Sequence, residues 1–244
     1  MHRHFLILDS TSEAAKSWAC DASTPAPHGA VISADTQTQG RGRLGREWIS
    51  PAGKGVYLSV IWRPQNVLVS LSQLTIIVAL AAARAIEITS GLKAETKWPN
   101  DVLVNGKKIG GVLCEAGFEG GRINYFIAGI GLNINVAASE LPDRLIFPAT
   151  SLLLETGKEF DVAVARSVLI EQLQAGYSRY LNDGWNTQRG EFIARCVVLG
   201  QRIKVRSENN EFEGVAVGID NDGLLVAQCA DGLQTVVAGD VSLS

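Results

Sequence analysis

Gly40-Arg41-Gly42-Arg43-Leu44-Gly45-Arg46-Glu47-Trp48 is the stretch that decides between two architectures. Its spacing matches G-x-G-x-x-G, the fingerprint of a dinucleotide-binding α/β unit, where the third glycine lies in a helix and the backbone approaches pyrophosphate. Here the chain runs on through Trp48 to Pro51, Gly53 and Gly55, and arginines fill the slots where the backbone should come close. No helix interior accepts that density of breakers. The segment 37–55 therefore reads as one long loop in a different fold. It carries Arg41, Arg43, Arg46 and Lys54 against Glu47, a net +3 in a chain whose formal charge is -3. Guanidinium forks on a glycine track suit a polyanion such as a triphosphate. An ordinary solvated loop anchored by Trp48 would have the same composition.

Around this loop, Phe5–Leu8 and Ala30–Asp35 read as strands, and Ser10-Thr11-Ser12-Glu13 has the spacing of a capping box opening a helix toward Cys20. Val56–Trp62 is an alternating, β-branched strand. Ser70 caps a helix over Leu71–Thr89 that stops at Gly91 and is apolar on nearly all sides, hence buried. Ala94–Trp98 and Asp101–Val104 are strand pieces broken at Pro99. Asn105-Gly106 signals a type I′ hairpin into Lys107–Glu115, and Arg122–Ile130 continues the meander. Alternation places Lys108 on the face of Gly110 and Lys107 on the other, so an amine overlooks a patch without side chains. After Gly129-Ile130-Gly131-Leu132-Asn133 comes a loop to about Pro148, then a helical stretch from Asp161 to about Arg189.

At Cys196 the grammar changes. Gly200–Arg206, Glu211–Ile219, Leu224–Gln228 and Leu233–Val237 are short strands separated by Glu208-Asn209-Asn210, Asn221-Asp222-Gly223 and Asp231-Gly232. The boundary lies near residue 195, with strands and helices over 1–195 and an all-β module of about 50 residues over 196–244.

Composition removes several classes. A charge of -3 and a pI near 5.7 leave no blanket positive field for a nucleic acid. The segment from Cys196 on sets Arg202, Lys204 and Arg206 against Glu208, Glu211, Glu213, Asp220, Asp222, Asp231 and Asp240, a poor partner for a phosphate backbone. The longest apolar run, Leu74–Ala83, is half of the roughly 20 residues a bilayer requires, and Phe5–Leu8 is too short for a secretory signal. A cytoplasmic protein is expected. Four scattered cysteines and three histidines near the start give poor material for a zinc site or an imidazole-activated nucleophile.

Asp9-Ser10-Thr11, the Gln37 to Trp48 run, Lys97-Trp98-Pro99-Asn100-Asp101, Lys108-Ile109-Gly110-Gly111-Val112-Leu113-x-Glu115 and Gly129-x-Gly131-x-Asn133, in that order, resemble the signature set of biotin protein ligases. The resemblance implies an α+β fold: a catalytic domain of mixed sheet and helices over 1–195, similar to class II aminoacyl-tRNA synthetases, with a small SH3-like C-terminal barrel over 196–244. It implies a two-step activity: biotin and MgATP give biotinyl-5′-AMP and pyrophosphate, and a lysine of a biotin carboxyl carrier protein then takes the biotinyl group.

It assigns Ser10, Thr11, Gln37, Gly40, Arg41, Lys108 and Gly111 to biotin. ATP falls to Arg41, Arg43, Arg46, Trp48 and Asn133, catalysis to Lys108, Arg43 and Arg41, and a Mg²⁺ contact to Asp101. A monomer or homodimer is expected, without membrane or DNA binding, since the first catalytic strand begins by Phe5. Ser12, Gln39 and Leu44 stand where the common pattern has Asn, Ala and Arg, and none of the three removes a group the chemistry requires. The rivals are a lipoate or octanoate ligase, which shares the fold, and a nucleic-acid-binding module.

Overall fold

A computed structural model describes residues 1–64, 70–142, 148–206, 211–237 and 239–243. Seven strands, β1 (His2–Leu8), β2 (Ala30–Gln37), β3 (Gly55–Trp62), β4 (Glu95–Lys97), β5 (Asp101–Val104), β6 (Lys107–Glu119) and β7 (Arg122–Asn133), form a mixed sheet in the order β1-β2-β3-β7-β6-β5-β4. Only β1 and β2 run parallel. The helices are α1 (Thr11–Ala19), α2 (Leu71–Ser90), α3 (Leu152–Thr156), α4 (Val162–Asp183) and α5 (Trp185–Arg195).

Alternation in the two central strands sorts the faces. Leu58, Val60 and Trp62 of β3 and Phe126, Ala128, Ile130 and Leu132 of β7 join the larger core with α2 and α4, whereas Ile61 and Ile127 pack with α1 on the other side. On that second face Tyr57 of β3 turns its hydroxyl to the Pro51 carbonyl at 3.2 Å, and the other positions toward one end of the sheet are Ser59, Gly129, Gly131 and Asn133. Small and polar residues there leave room above the sheet, and the site lies in that room.

Helix α2 is the expected buried helix. The Ser70 side chain accepts the Gln73 amide at its start, and Gly91, in the left-handed region at φ 75°, closes its end. Among the described residues it is the one helix long and apolar enough to cross a membrane, and 72% of its apolar window is buried inside the protein. The Ser70 hydroxyl also donates to the Asp222 carbonyl at 2.8 Å. Ser70→Ala therefore loses a cap and a bond from the helix start to a turn of the C-terminal segment, and a loss of about 1–2 kcal/mol in denaturant unfolding is expected.

Three readings of the local grammar need correction. Ser10 stands at the N-cap of α1 but makes no capping bond; the Thr11 amide donates to Gln37 Oε1 instead, and Glu13 turns to Arg41, so the capping box does not form. The helical stretch from Asp161 is two helices, because Gly184 (φ 78°, ψ 179°) leaves helical space between α4 and α5. The short α3 after Pro148 gives too few residues for a periodic signal.

The third correction concerns Lys108. Asn105 and Gly106 both have positive φ (51° and 72°), as the type I′ turn requires. Past the turn, however, Leu103 pairs with Lys108 and Val102 with Gly110, which leaves Ile109 as an extra residue, a β-bulge. The bulge reverses the phase of the strand. Ile109 and Gly110 face the core, a Cβ on Gly110 meeting the Leu132 side chain, while Lys108 shares its face with Gly111.

The C-terminal segment forms a five-stranded antiparallel sheet in the order β11-β10-β9-β8-β12, from β8 (Arg202–Arg206), β9 (Glu211–Ile219), β10 (Leu225–Cys229), β11 (Gly232–Val236) and β12 (Asp240–Leu243). β12 was not expected, being four residues with little pattern. The expected Glu208-Asn209-Asn210 turn lies outside the described residues. Ile203, Val205, Ala216, Ile219 and Leu225 belong to the same apolar cluster as α2, and the Trp98 indole donates to the Gly223 carbonyl at 3.0 Å. One core thus runs beneath both sheets.

Candidate active site

A cavity of about 570 Å³ opens above the ends of β7 and β6. The start of α1, the Gly/Arg loop, the Lys97–Asp101 run and β12 wall it in.

One end is neutral and polar. Ser10, Thr11 and Ser12 bring hydroxyls to the first turn of α1, all three nearly fully buried. Gln37 Oε1 accepts from the Thr11 amide (2.8 Å) and hydroxyl (3.2 Å), and Gln37 Nε2 donates to Ser50 Oγ at 3.0 Å. Such a surface fits a neutral hydrogen-bonding ring rather than an ion.

The floor is glycine. A Cβ on Gly131 would overlap the Trp48 indole, and one on Gly111 would come within 3.1 Å of it, so the absence of side chains lets the indole lie against backbone. Trp48 Nε1 is buried without a hydrogen-bond partner. The smooth patch foreseen for a flat ligand is thus floored by glycine and partly covered by a flat residue of the chain itself.

The other end is cationic. Lys108 Nζ stands 2.6 Å from Asp101 Oδ1 and 5.7 Å from the centre of the Trp48 ring. Arg43 donates to Asn100 Oδ1 at 2.9 Å, and burial pulls its guanidinium below the usual range while Asp240 and Asp101 oppose the shift. Lys97 is buried beside them, and desolvation lowers its ammonium with the Asp101 carboxylate acting the other way. Arg41 bridges Glu13 of α1 and Glu115 of β6, and Arg46 pairs with Asp240 on β12. Several cations held in partly desolvated positions form a ready receptor for phosphate and carboxylate oxygens.

The loop owes its shape to its glycines. Residues 40–48 fold as a hairpin, with the Trp48 amide donating to the Gly40 carbonyl at 2.8 Å and the Gly42 amide to the Arg46 carbonyl at 2.7 Å. Gly40 lies behind the cavity wall, where a Cβ would overlap the Trp48 carbonyl oxygen. At the tip Leu44 takes a left-handed φ of 56° and is exposed.

Of the residues singled out in the sequence, Ser10, Thr11, Gln37, Arg41, Arg43, Arg46, Trp48, Asp101, Lys108, Gly111 and Asn133 line this one cavity. Gly40 does not line it. Asn133 faces it with one amide hydrogen already given to the Thr150 carbonyl at 3.0 Å. Sequence reasoning gave no role to Lys97, Asn100, Ser50, Ser59 or Asp240. Lys97 and Asn100 lay inside a quoted motif, and Ser59 was visible as a hydroxyl in an apolar strand; Asp240 carried no signal.

Residues 7–133 match the model of the biotin/lipoate A/B protein ligase family, and residues 198–244 that of the biotin protein ligase C-terminal domain. The bifunctional ligase/repressor BirA of Bacillus subtilis is 35% identical over 243 residues, covering 100% of this chain and 75% of the relative. The biotin–[acetyl-CoA-carboxylase] ligase of Paracoccus denitrificans is 33% identical over 215 residues, 87% of this chain and 89% of the relative. Among solved structures, the biotin protein ligase of Aquifex aeolicus in complex with biotin and ATP superposes with a TM-score of 0.85 at 29% identity, covering 100% of this chain and 98% of that one. A neutral pocket, a glycine floor and a cationic end in one cavity, together with these likenesses, lead to one assignment: the chain belongs to the biotin/lipoate A/B protein ligase family, as a biotin protein ligase.

Proposed function

We propose that this ligase divides its cavity between the ring of biotin at the Ser10, Thr11 and Gln37 end and the reacting anions at the Lys108 and Arg43 end. The juxtaposition that carries this reading is the single cavity in which neutral hydroxyls and partly buried cations face each other across a glycine floor. In the first step a carboxylate oxygen of biotin forms a bond to the α-phosphorus of ATP while the bond to pyrophosphate breaks, and pyrophosphate leaves with the electron pair. Two anions must meet, so the barrier is mainly electrostatic. Lys108 serves the carboxylate and α-phosphate oxygens; Arg41, Arg43 and Arg46 serve the remaining phosphate charge, Trp48 offers a face to the adenine, and Asn133 has its second amide hydrogen for the adenine edge.

Magnesium fits this site as a companion of ATP. Asp101 Oδ1 is buried and paired with Lys108 but takes no well-directed hydrogen bond, and among the described residues no group of three His, Cys, Asp or Glu side chains forms a cage. An ion that keeps phosphate and water ligands needs one or two carboxylates. Asp101 would hold it, and it supplies neutralisation of phosphate charge.

In the second step the lysine amine of a biotin carboxyl carrier domain takes the acyl group and AMP leaves. Residues 1–195 would hold both small molecules and 196–244 would lend β12 to the wall, a division supported by the separate match of 198–244. All four cysteines are free thiols, which suits the cytoplasm as the compartment. The test is to incubate the protein with MgATP, a carrier domain and either biotin or lipoate, and to read the intact mass of the carrier. Biotin attached and lipoate not is the expected result; no attachment with biotin overturns the reading.

A further inference from the structure

Between the neutral end of the cavity and the Gly/Arg loop runs a chain of hydrogen bonds whose direction can be fixed atom by atom. The Thr11 backbone amide can only donate, so the atom it meets at 2.8 Å is the oxygen of the Gln37 side chain, which settles the orientation of that amide. Gln37 Nε2 then must donate, and it reaches Ser50 Oγ at 3.0 Å. Ser50, with one hydroxyl hydrogen, passes it to the Trp48 carbonyl at 3.2 Å. On the other side Ser59 donates to Thr11 Oγ1 at 3.0 Å, Thr11 donates to Gln37 Oε1 at 3.2 Å, and Ser12, 3.2 Å from Ser59, is left to donate to it. Ser59 is fully buried and Ser50 nearly so, and neither lines the cavity.

We propose that Ser59 and Ser50 are positioning residues: Ser59 sets the donor direction of Thr11, and Ser50 ties the Gln37 amide to the backbone of Trp48, so that occupancy of the ring end is felt by the Gly/Arg loop. This rests on the biotin reading of the cavity. Gln37 has one amide hydrogen left over after Ser50, and a ligand that accepts it holds the amide in the orientation that also holds Ser50 against the loop. Ser50 belongs to both neighbours at once. A Cβ on Gly40 would stand 3.0 Å from Ser50 Oγ and 3.2 Å from Gln37 Nε2, so the loop backbone packs directly on the relay. Without the Ser50 hydroxyl, Gln37 could rotate and the Trp48 carbonyl would lose its side-chain tether, while Ser10, Thr11 and Ser12 of the ring end stayed in place.

The test uses the whole protein, biotin titration, and trypsin, which cuts after Arg41, Arg43 and Arg46 only when the loop opens. In the wild type, biotin is expected to slow cleavage in the loop. Ser50→Ala should weaken biotin binding about tenfold and, even at saturating biotin, should no longer show slowed loop cleavage. Ser59→Ala should weaken binding by a similar factor yet keep the protection once saturated, because it lies on the far side of Gln37. Thermal melting checks the fold. Should Ser50→Ala not fold, Ser50→Cys, of similar shape but with a weaker acceptor, is expected to fall between wild type and no protection. Wild-type affinity and protection in a folded Ser50 variant overturn the proposal. A wild-type protein that binds no biotin overturns the biotin reading instead.

Discussion

Lys108→Ala should form biotinyl-adenylate about a thousandfold more slowly than the wild type while melting within a few degrees of it. Lys108 is the cation seated where the glycine floor meets the acidic wall, 2.6 Å from Asp101 and beside Trp48. In the ground state its charge answers Asp101. As carboxylate and α-phosphate approach, it can turn to them, and its removal leaves Asp101 facing two incoming anions with less compensation. The loss is therefore larger than one missing donor in water would give. The side chain is partly exposed and contributes little to the core, so stability should hardly change. Pyrophosphate release in the presence of biotin measures the first step, and a thermal melt measures the second claim. Undiminished pyrophosphate release by a folded variant would remove Lys108 from the chemistry.

Arg43→Gly should act on the product of that step, releasing the adenylate roughly a hundredfold faster. The Arg43 side chain forms part of the wall between the cavity and solvent, and it is fixed by Asn100, whose own Nδ2 donates to the Val112 carbonyl at 2.9 Å. Cutting it to glycine opens that wall and loosens a loop that already has glycines at 40, 42 and 45. A mixed anhydride outside the cavity meets water and stray amines. Dialysis of the enzyme loaded with labelled adenylate gives the escape rate directly; retention equal to wild type would show that Arg43 has no part in closure. Arg43→Lys, which keeps charge but not the fork, should lie between the two.

The sequence was most legible where local chemistry has one solution. Asn105-Gly106 could only be a tight turn, Ser70 and Gly91 bracket α2, and the alternation of β3 and β7 separates core from site face. The cationic loop was visible as a charge reversal against its own chain. What remained hidden depended on partners distant in sequence. Asp240 meets Arg46 from 194 residues away, in a strand with no pattern of its own. Ser10 looked like a cap because its spacing was right, but the Thr11 amide had a better acceptor in Gln37, brought to it by the parallel pairing of β1 and β2. The Lys108 face was misjudged because alternation assumes an uninterrupted ladder.

That interruption has a consequence for how β6 tolerates change. With Ile109 as the supernumerary residue, the strand before it and the strand after it obey opposite parities, and one residue acts as the phase shifter between them. A substitution at 109 alters a packing contact. Deleting 109 would leave Lys108 and Gly111 two residues apart on a regular ladder, still on one face; pairing Ile109 into the ladder with every residue kept would instead turn Lys108 by half a turn relative to Gly111. The reaction would then lose its amine with every amino acid that performs it still present in the chain. The bulge is thus a different kind of feature from a side chain: it sets orientation, and orientation is what this short stretch encodes.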